Sequence, residues 1–398
     1  MDVQRFRLAP VITLAVLAPF CAEYLLGGIS LRDLVNLPFL MPLYGAAAVL
    51  IHEIVRRTGR GYPTIVGLGA AFGTFQAGLV DASMFDSGYG GFDLAGPVVP
   101  WIDWNIYWGM AFVVNHAVFS IAVPIALTEA LYDHGEEHGG EHGPWLGRTG
   151  YWSTVAWLGG GFALIGTDAR EVEDYWLTLP QQGFTLLLAA AFVVAAFWGD
   201  EELSPLFDNR PSQERESKKR KSRTDPPRIE QSSGSHRSSG GHRTSKDHKT
   251  GHKTTKVEGA GGYREARSFL KNRRIGRVHR AGHPPKAPSV SVTWLASSIV
   301  LLLFNLLPPS WPGVAIGIAL AITTLTTGLR WSRRTGWSER HRLALVAGAI
   351  TVAAPFAFVV GDFVGATDGV SMTGYAVFGV LGALLVGVAF RAQTRRAG

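Results

Sequence analysis

The run VSMTGYAVFGVLGALLVGVAF, residues 370–390, extends for 21 residues without a charge. A helix rises about 1.5 Å per residue and the hydrocarbon core of a bilayer is about 30 Å thick, so such a run spells one membrane crossing. Nine further uncharged or nearly uncharged windows lie near 8–29, 35–55, 61–81, 104–130, 149–167, 178–198, 289–308, 311–330 and 343–362. A soluble protein with that many apolar windows would have no amphipathic helices left to face water. The sequence therefore predicts an all-α polytopic membrane helix bundle of about ten transmembrane helices, six in residues 1–200 and four in residues 289–398. The window at 149–167 is short and rich in glycine (Gly159, Gly160, Gly161). Those at 289–308 and 311–330 are joined by a tight turn at Pro308, Pro309 and Ser310.

Composition separates the chain into two materials. Charged residues make up 17% of the 398, against about 25% in ordinary soluble domains. Residues 201–292 nevertheless hold 22 of the 38 Lys+Arg and 10 of the 31 Asp+Glu, a net +12, which leaves the remaining 306 residues at −5. Residues 201–288 read as a disordered basic linker, because they are too poor in apolar groups to offset the entropy of ordering. Within it, His236-Arg237-Ser238, His242-Arg243-Thr244, His248-Lys249-Thr250 and His252-Lys253-Thr254 form a crude repeat that low-complexity drift explains. The single cysteine, Cys21, excludes an internal disulfide. It follows Ala18-Pro19-Phe20 rather than the small residues of a lipoprotein signal, so the first window is expected to remain as a helix.

Arginine placement predicts orientation. With the N-terminus in the cytoplasm and ten crossings, 36 basic residues fall inside and only Arg32 and Arg170 outside. Discounting the insert, the ratio is still 14 to two. The acidic residues Asp81, Asp86, Asp93 and Asp103 share one outer loop, and Asp168, Glu171, Glu173 and Asp174 share another. Both termini and the insert are thus expected on the cytoplasmic side of the cell membrane. Tryptophans cluster near the expected helix ends, Trp101, Trp145, Trp152, Trp176, Trp198 and Trp311 among them, where an indole keeps its ring dry and its N–H wet. Three strings, Arg57-Thr58-Gly59, Arg148-Thr149-Gly150 and Arg334-Thr335-Gly336, would sit in corresponding cytoplasmic turns. They read either as the trace of a duplicated two-helix unit or as the shared grammar of helix ends.

The expected partners are the bilayer and anionic lipid. Residues 263–280 have the pattern of a short basic amphipathic helix, with Arg264, Arg267, Lys271, Arg273, Arg274 and Arg277 available to lipid head groups. Nucleic acid is disfavoured, since no stacking platform or DNA-binding module accompanies the charge. No cofactor is expected. His134, His138 and His142 recur with acids and glycines over 133–144, a candidate for loose Zn²⁺ or Ni²⁺ binding, although a flexible solvated repeat accounts for the same pattern.

Ionisable and amide side chains inside a span are costly and are candidates for function. Glu23 and Gln76 lie in the outer halves of the first and third windows, Asn115 and His116 midway along the fourth, and Asn305 deep in the seventh. Glu23, Gln76 and His116 would converge as a ligand or proton site if their helices touch; otherwise each serves as polar glue between helices. His52 and Glu53 fall at the cytoplasmic end of the second window, within reach of water and head groups. The spacings Gly69-x-x-x-Gly73 and Gly313-x-x-x-Gly317 mark close helix packing and are compatible with a homo-oligomer. Pro124 and Pro355 should bend their helices.

The run Ile51-His52-Glu53-Ile54-Val55-Arg56-Arg57-Thr58-Gly59-Arg60-Gly61-Tyr62-Pro63, followed by Gly69-Ala70-Ala71-Phe72-Gly73, resembles uncharacterised multi-pass membrane proteins of actinobacteria, across most of the membrane body and without the insert. That resemblance implies no activity. A motif-degenerate similarity to CAAX-protease and bacteriocin-processing intramembrane enzymes centres on Gln76-Ala77-Gly78-Leu79-Val80-Asp81. Those enzymes carry a Glu-Glu-x-x-x-Arg motif there, and both the paired carboxylates and the arginine are missing from this stretch, so the resemblance implies an inactive relative. No phosphate-binding loop, His-Glu-x-x-His or Gly-x-Ser-x-Gly occurs. The sequence favours a non-enzymatic, transporter-like or scaffolding bundle, with the intramembrane protease-like protein as the alternative.

Overall fold

A computed structural model describes residues 7–132, 143–203 and 285–397. Among these, ten helical rods follow the ten apolar windows: α1 Leu8–Tyr24, α2 Leu31–Arg57, α3 Tyr62–Val80, α4 Ile106–Tyr132, α5 Arg148–Glu173, α6 Leu179–Leu203, α7 Val290–Asn305, α8 Trp311–Ser332, α9 Glu339–Phe363 and α10 Gly369–Ala397. Side-chain caps fix several starts. Asn105 accepts from the Trp108 amide, Ser289 from Val292 and Ser310 from Gly313, and Ser338 forms a capping box with His341. Between α3 and α4 the chain makes a small antiparallel ribbon, β1 Val98–Val99 with β2 Trp104–Asn105, in the register Val98 to Asn105 and Val99 to Trp104.

Seven of the rods, α2, α3, α4, α6, α8, α9 and α10, are long and apolar enough to cross a membrane. The ten-span expectation is therefore met in helices but not in qualifying spans. The α1 and α7 helices fall short in length, and the uncharged stretch 150–167 of α5 is too rich in Gly, Trp, Ser and Thr to be apolar enough.

The rods pack through small residues. α3 lies against both α4 and α6, α1 against α2 and α4, α5 against α2, and α9 against α7 and α10. A Cβ on Gly45 of α2 would sit 2.5 Å from the Ala15 carbonyl of α1, and one on Gly73 would lie 2.8 Å from the His116 side chain. Gly69 and Gly73 thus bring α3 onto α4 as their spacing predicts. Gly317 does the same against Met110 of α4, whereas Gly313 closes its own hairpin on Pro308. One apolar core joins α1, α2 and α3 through Leu14, Leu43, Val49 and Ile65. A second joins α1, α4, α9 and α10 through Leu17, Phe119, Ile350 and Val386.

The first four rods share an irregularity. Each contains a widened π-helical turn: Phe20–Tyr24 in α1, Met41–Gly45 in α2, Gln76–Val80 in α3 and His116–Ala122 in α4. Such turns are rare and concentrate at functional sites. Pro124 lies two residues beyond the last of them, while α9 continues through Pro355.

Three expectations are corrected. Asn305 closes α7 instead of lying deep within a span, and its amide donates 2.8 Å to the Leu301 carbonyl. Trp145 is buried rather than interfacial, because it stacks on His52 beneath the segment leading into α5. The three Arg-Thr-Gly strings are not equivalent. Gly59 follows the end of α2 and Gly336 lies in the turn between α8 and α9, both in the left-handed region at φ +67° and +88°, but Arg148-Thr149-Gly150 opens α5. The stretch leading into α5 is long, so the string there caps nothing.

Candidate functional site

The four wide turns bring polar groups together. The Tyr44 hydroxyl of α2 donates 2.5 Å to Glu23 Oε1 of α1, and its ring stacks on His116 of α4 with centroids 5.8 Å apart. His116 Nδ1 lies 2.9 Å from Ser120 Oγ one turn on. At the end of α3, Gln76 Nε2 donates 3.2 Å to Asp81 Oδ2, and the Ser83 amide donates 3.0 Å to Asp81 Oδ1. Tyr89, from the following loop, hydrogen-bonds Asp81 as well, and Glu23 is near enough for Asp81 to feel its charge.

Glu23, Asp81, Tyr89 and His116 are half-buried among the helices and the loop after α3. Gln76 is 2% exposed, and its Oε1 has no hydrogen-bond partner. A buried amide oxygen without a donor costs about 1–3 kcal/mol, which a ligand donor or an ordered water would recover. Ala82, next to Asp81, sits at φ +58°, a left-handed conformation costing a residue with a side chain about 1–2 kcal/mol. Among the described residues no lysine or arginine pairs with Glu23 or Asp81.

Burial pushes the Asp81 carboxyl up to about 6, with the Glu23 charge acting in the same direction, and Asp81 in turn holds the Tyr89 phenol well above its usual range. A carboxyl raised by folding binds its proton more tightly in the folded state. Stability is therefore greatest below the unfolded carboxyl value of about 4, and declines as pH rises toward 6. Asp81→Asn keeps an acceptor for Ser83 and removes this dependence. The variant should be more stable than the parent at pH 7 by up to about 2 kcal/mol, with the gap closing by pH 4. Thermal melts in detergent across that range check the sign.

A second polar cluster, which the sequence reading missed, lies at the arginine-rich end. His52 and Glu53 were expected to reach water, but both are 0% exposed. Glu53 Oε1 accepts from the Trp145 and Leu146 amides at 2.5 and 3.1 Å, and Oε2 accepts from Arg57 at 2.9 and 3.1 Å. Glu129 of α4, 2% exposed, accepts from Arg56 Nε at 2.6 Å and from the Tyr62 hydroxyl at 2.5 Å, with His52 Nε2 3.2 Å away. The Arg342 guanidinium of α9 lies over the Tyr62 ring, 5.1 Å from its centroid. The Trp145 segment folds over His52 and Glu53 and replaces the water they would otherwise meet. The i,i+4 pair Glu53–Arg57 was the available signal; Trp145 and Glu129 lie too far along the chain for spacing to reveal them.

The other candidates are placed as follows. Asn115 is half-buried beside His116 and makes no side-chain hydrogen bond among the described residues. Glu23 and His116 are bridged by Tyr44, whereas Gln76 bonds Asp81 and touches neither of them through a hydrogen bond. His134, His138 and His142, and the lipid candidates Arg264, Arg267, Lys271, Arg273, Arg274 and Arg277, lie outside the described residues. Among those described, no group of three His, Cys, Asp or Glu side chains is arranged to hold a metal ion.

No curated protein matches the chain, and no solved structure does. Residues 12–199, which span most of α1 to α6, match the model of an uncharacterized membrane protein family, and α7 to α10 lie outside that match. With seven helices able to cross a bilayer and this match over its first six rods, the chain is a multi-pass membrane protein.

Proposed function

We propose that the chain is a transporter-like bundle that takes a proton or small monovalent cation at Glu23, Tyr44, Gln76, Asp81 and His116. In this reading all ten rods cross the cell membrane, and both termini and the basic insert lie in the cytoplasm. The observation that carries it is that two carboxylates among the packed helices, Glu23 and Asp81, lie close enough for one to feel the other's charge and have no basic partner among the described residues, while the neighbouring Gln76 keeps an amide oxygen without a donor. Uncompensated negative charge within the bundle is costly, and cation binding offsets that cost. The wide turns support the same reading, since all four carry a member of the layer.

The protease-like alternative has less support. His116 contacts Ser120, Tyr44 and Phe72 rather than a carboxylate, and Ser120 is 1% exposed, so it presents no nucleophile. In the second cluster the carboxylates already accept from arginines and backbone amides.

Proteoliposomes loaded with a pH-sensitive dye test the proposal. Purified protein should give a proton or monovalent-cation flux under an imposed gradient. Glu23→Gln and Asp81→Asn should each lower it at least about tenfold, the scale of losing one charged binding group, while the exposed Asp93→Asn leaves it unchanged. An inert parent across protons, ammonium, sodium and potassium would overturn transport in favour of a scaffolding role. A flux indifferent to both variants would remove this site.

A further inference from the structure

Residues of two of the Arg-Thr-Gly strings, 91 residues apart in sequence, line one open cavity of about 300 Å³. Ile54, Arg57 and Thr58 come from the end of α2, and Arg148, Tyr151 and Trp152 from the start of α5. Nothing in the proton or cation site involves these residues, so the inference stands apart from that proposal.

The two arginines are held differently. The Arg57 guanidinium is fixed by Glu53 through Nε and Nη2, donates from Nη2 to the Leu146 carbonyl at 2.6 Å, and lies over the Tyr151 ring at 5.2 Å from the centroid. Nη1 is left over on a preoriented fork. Arg148 is exposed and has no side-chain partner among the described residues. Two guanidiniums lining one open cavity, one prefixed and one available, form a receptor for an oxyanion, and the planar donor fork of arginine suits phosphate oxygens. The first amides of α5 add to the positive field, since Gly147 supplies no side-chain cap.

The surroundings choose among oxyanions. Arg57 is the last residue of a membrane-spanning helix, Ile54 contributes an apolar wall, and Trp152 is 60% exposed at the mouth. An exposed indole at the end of a span sits at head-group depth. We propose that Arg57, Arg148 and Trp152 form a binding site for the phosphate head group of an anionic lipid, with the guanidiniums on the phosphate and the indole against the glycerol and upper acyl region.

Arg148 is the side chain to test, because it is exposed and bonded to no side chain among the described residues. Full-length protein in detergent, titrated with phosphatidylglycerol or phosphatidylcholine and read by native mass spectrometry, measures the affinity. Arg148→Gln should weaken phosphatidylglycerol binding about fivefold, the effect of one basic group at a lipid surface, and leave phosphatidylcholine binding unchanged. Arg340→Gln removes an equally exposed charge outside the cavity and should change neither. Trp152→Ala should weaken the lipid without creating a response to inorganic phosphate. Equal losses in Arg148→Gln and Arg340→Gln would reduce the effect to general charge and overturn the site, as would no loss in either. Displacement of the lipid by millimolar inorganic phosphate would reassign the cavity to a soluble anion. Unchanged melting temperatures of the variants show that the loss is one of binding.

Discussion

Glu129→Ala is expected to destabilise the protein by about 3–5 kcal/mol, the usual result of removing one partner from a buried ion pair. Glu129 serves three neighbours at once. Arg56 donates to it, the Tyr62 hydroxyl donates to it, and His52 lies against it. The substitution takes the carboxylate from an arginine that is 8% exposed and leaves the charge in the bundle. The damage should reach further than one helix. Tyr62 opens α3, and Arg342 of α9 packs on its ring, so Glu129 helps hold the start of α9 against the first four rods. Unfolding in detergent, followed by near-ultraviolet circular dichroism, measures the loss. Combining Glu129→Leu with Arg56→Met should cost less than Glu129→Ala alone, because the buried arginine charge is removed together with its carboxylate. A double variant as unstable as the sum of its singles would mean that the cluster is not electrostatically coupled.

Gly27→Ala should be comparably severe. Gly27 lies between α1 and α2 at φ +83°, where a residue with a side chain is strained by about 1–2 kcal/mol. An added Cβ would also stand 2.3 Å from the Ala357 carbonyl oxygen and 2.7 Å from its Cα. Those are backbone atoms of α9, so no rotamer change relieves the clash, and overpacking adds about 1–3 kcal/mol. The sum, about 2–5 kcal/mol, should appear as a lower melting temperature. Gly59→Ala provides the comparison. It has a similar φ of +67° but open space around the Cβ, so it should lose only the strain. Equal losses at both positions would show that α9 yields to the added methyl.

The contrast between the two polar clusters shows what each level of description supplies. Glu23, Gln76 and His116 were legible as candidates because an ionisable or amide side chain stands out against an apolar window, whatever its neighbours. Tyr44 and Asp81, which join them, were not legible. A tyrosine in a span reads as an ordinary amphipathic side chain, and Asp81 reads as one more acid in an outer loop. Only the packing of α1, α2 and α4 sets the phenol between Glu23 and His116, while Asp81 meets Gln76 locally, across the wide turn that ends α3. His52 and Glu53 failed in the other direction. Their place near the end of a window suggested water, but the Trp145 segment, 92 residues later in sequence, covers them and supplies the amides that water would have supplied.

The sequence by itself determined the solvent. Ten apolar windows became ten helices, and their caps and glycine stops set most of the boundaries, because hydrophobic length and local backbone chemistry are properties of short segments. The tertiary structure alone decided which polar groups come together across helices, which acids keep arginine partners, and which two arginine turns line one cavity. Those outcomes depend on the rotation and depth of one helix against another, which small-residue contacts such as Gly45 on Ala15 and Gly73 on His116 fix in three dimensions and no local spacing encodes.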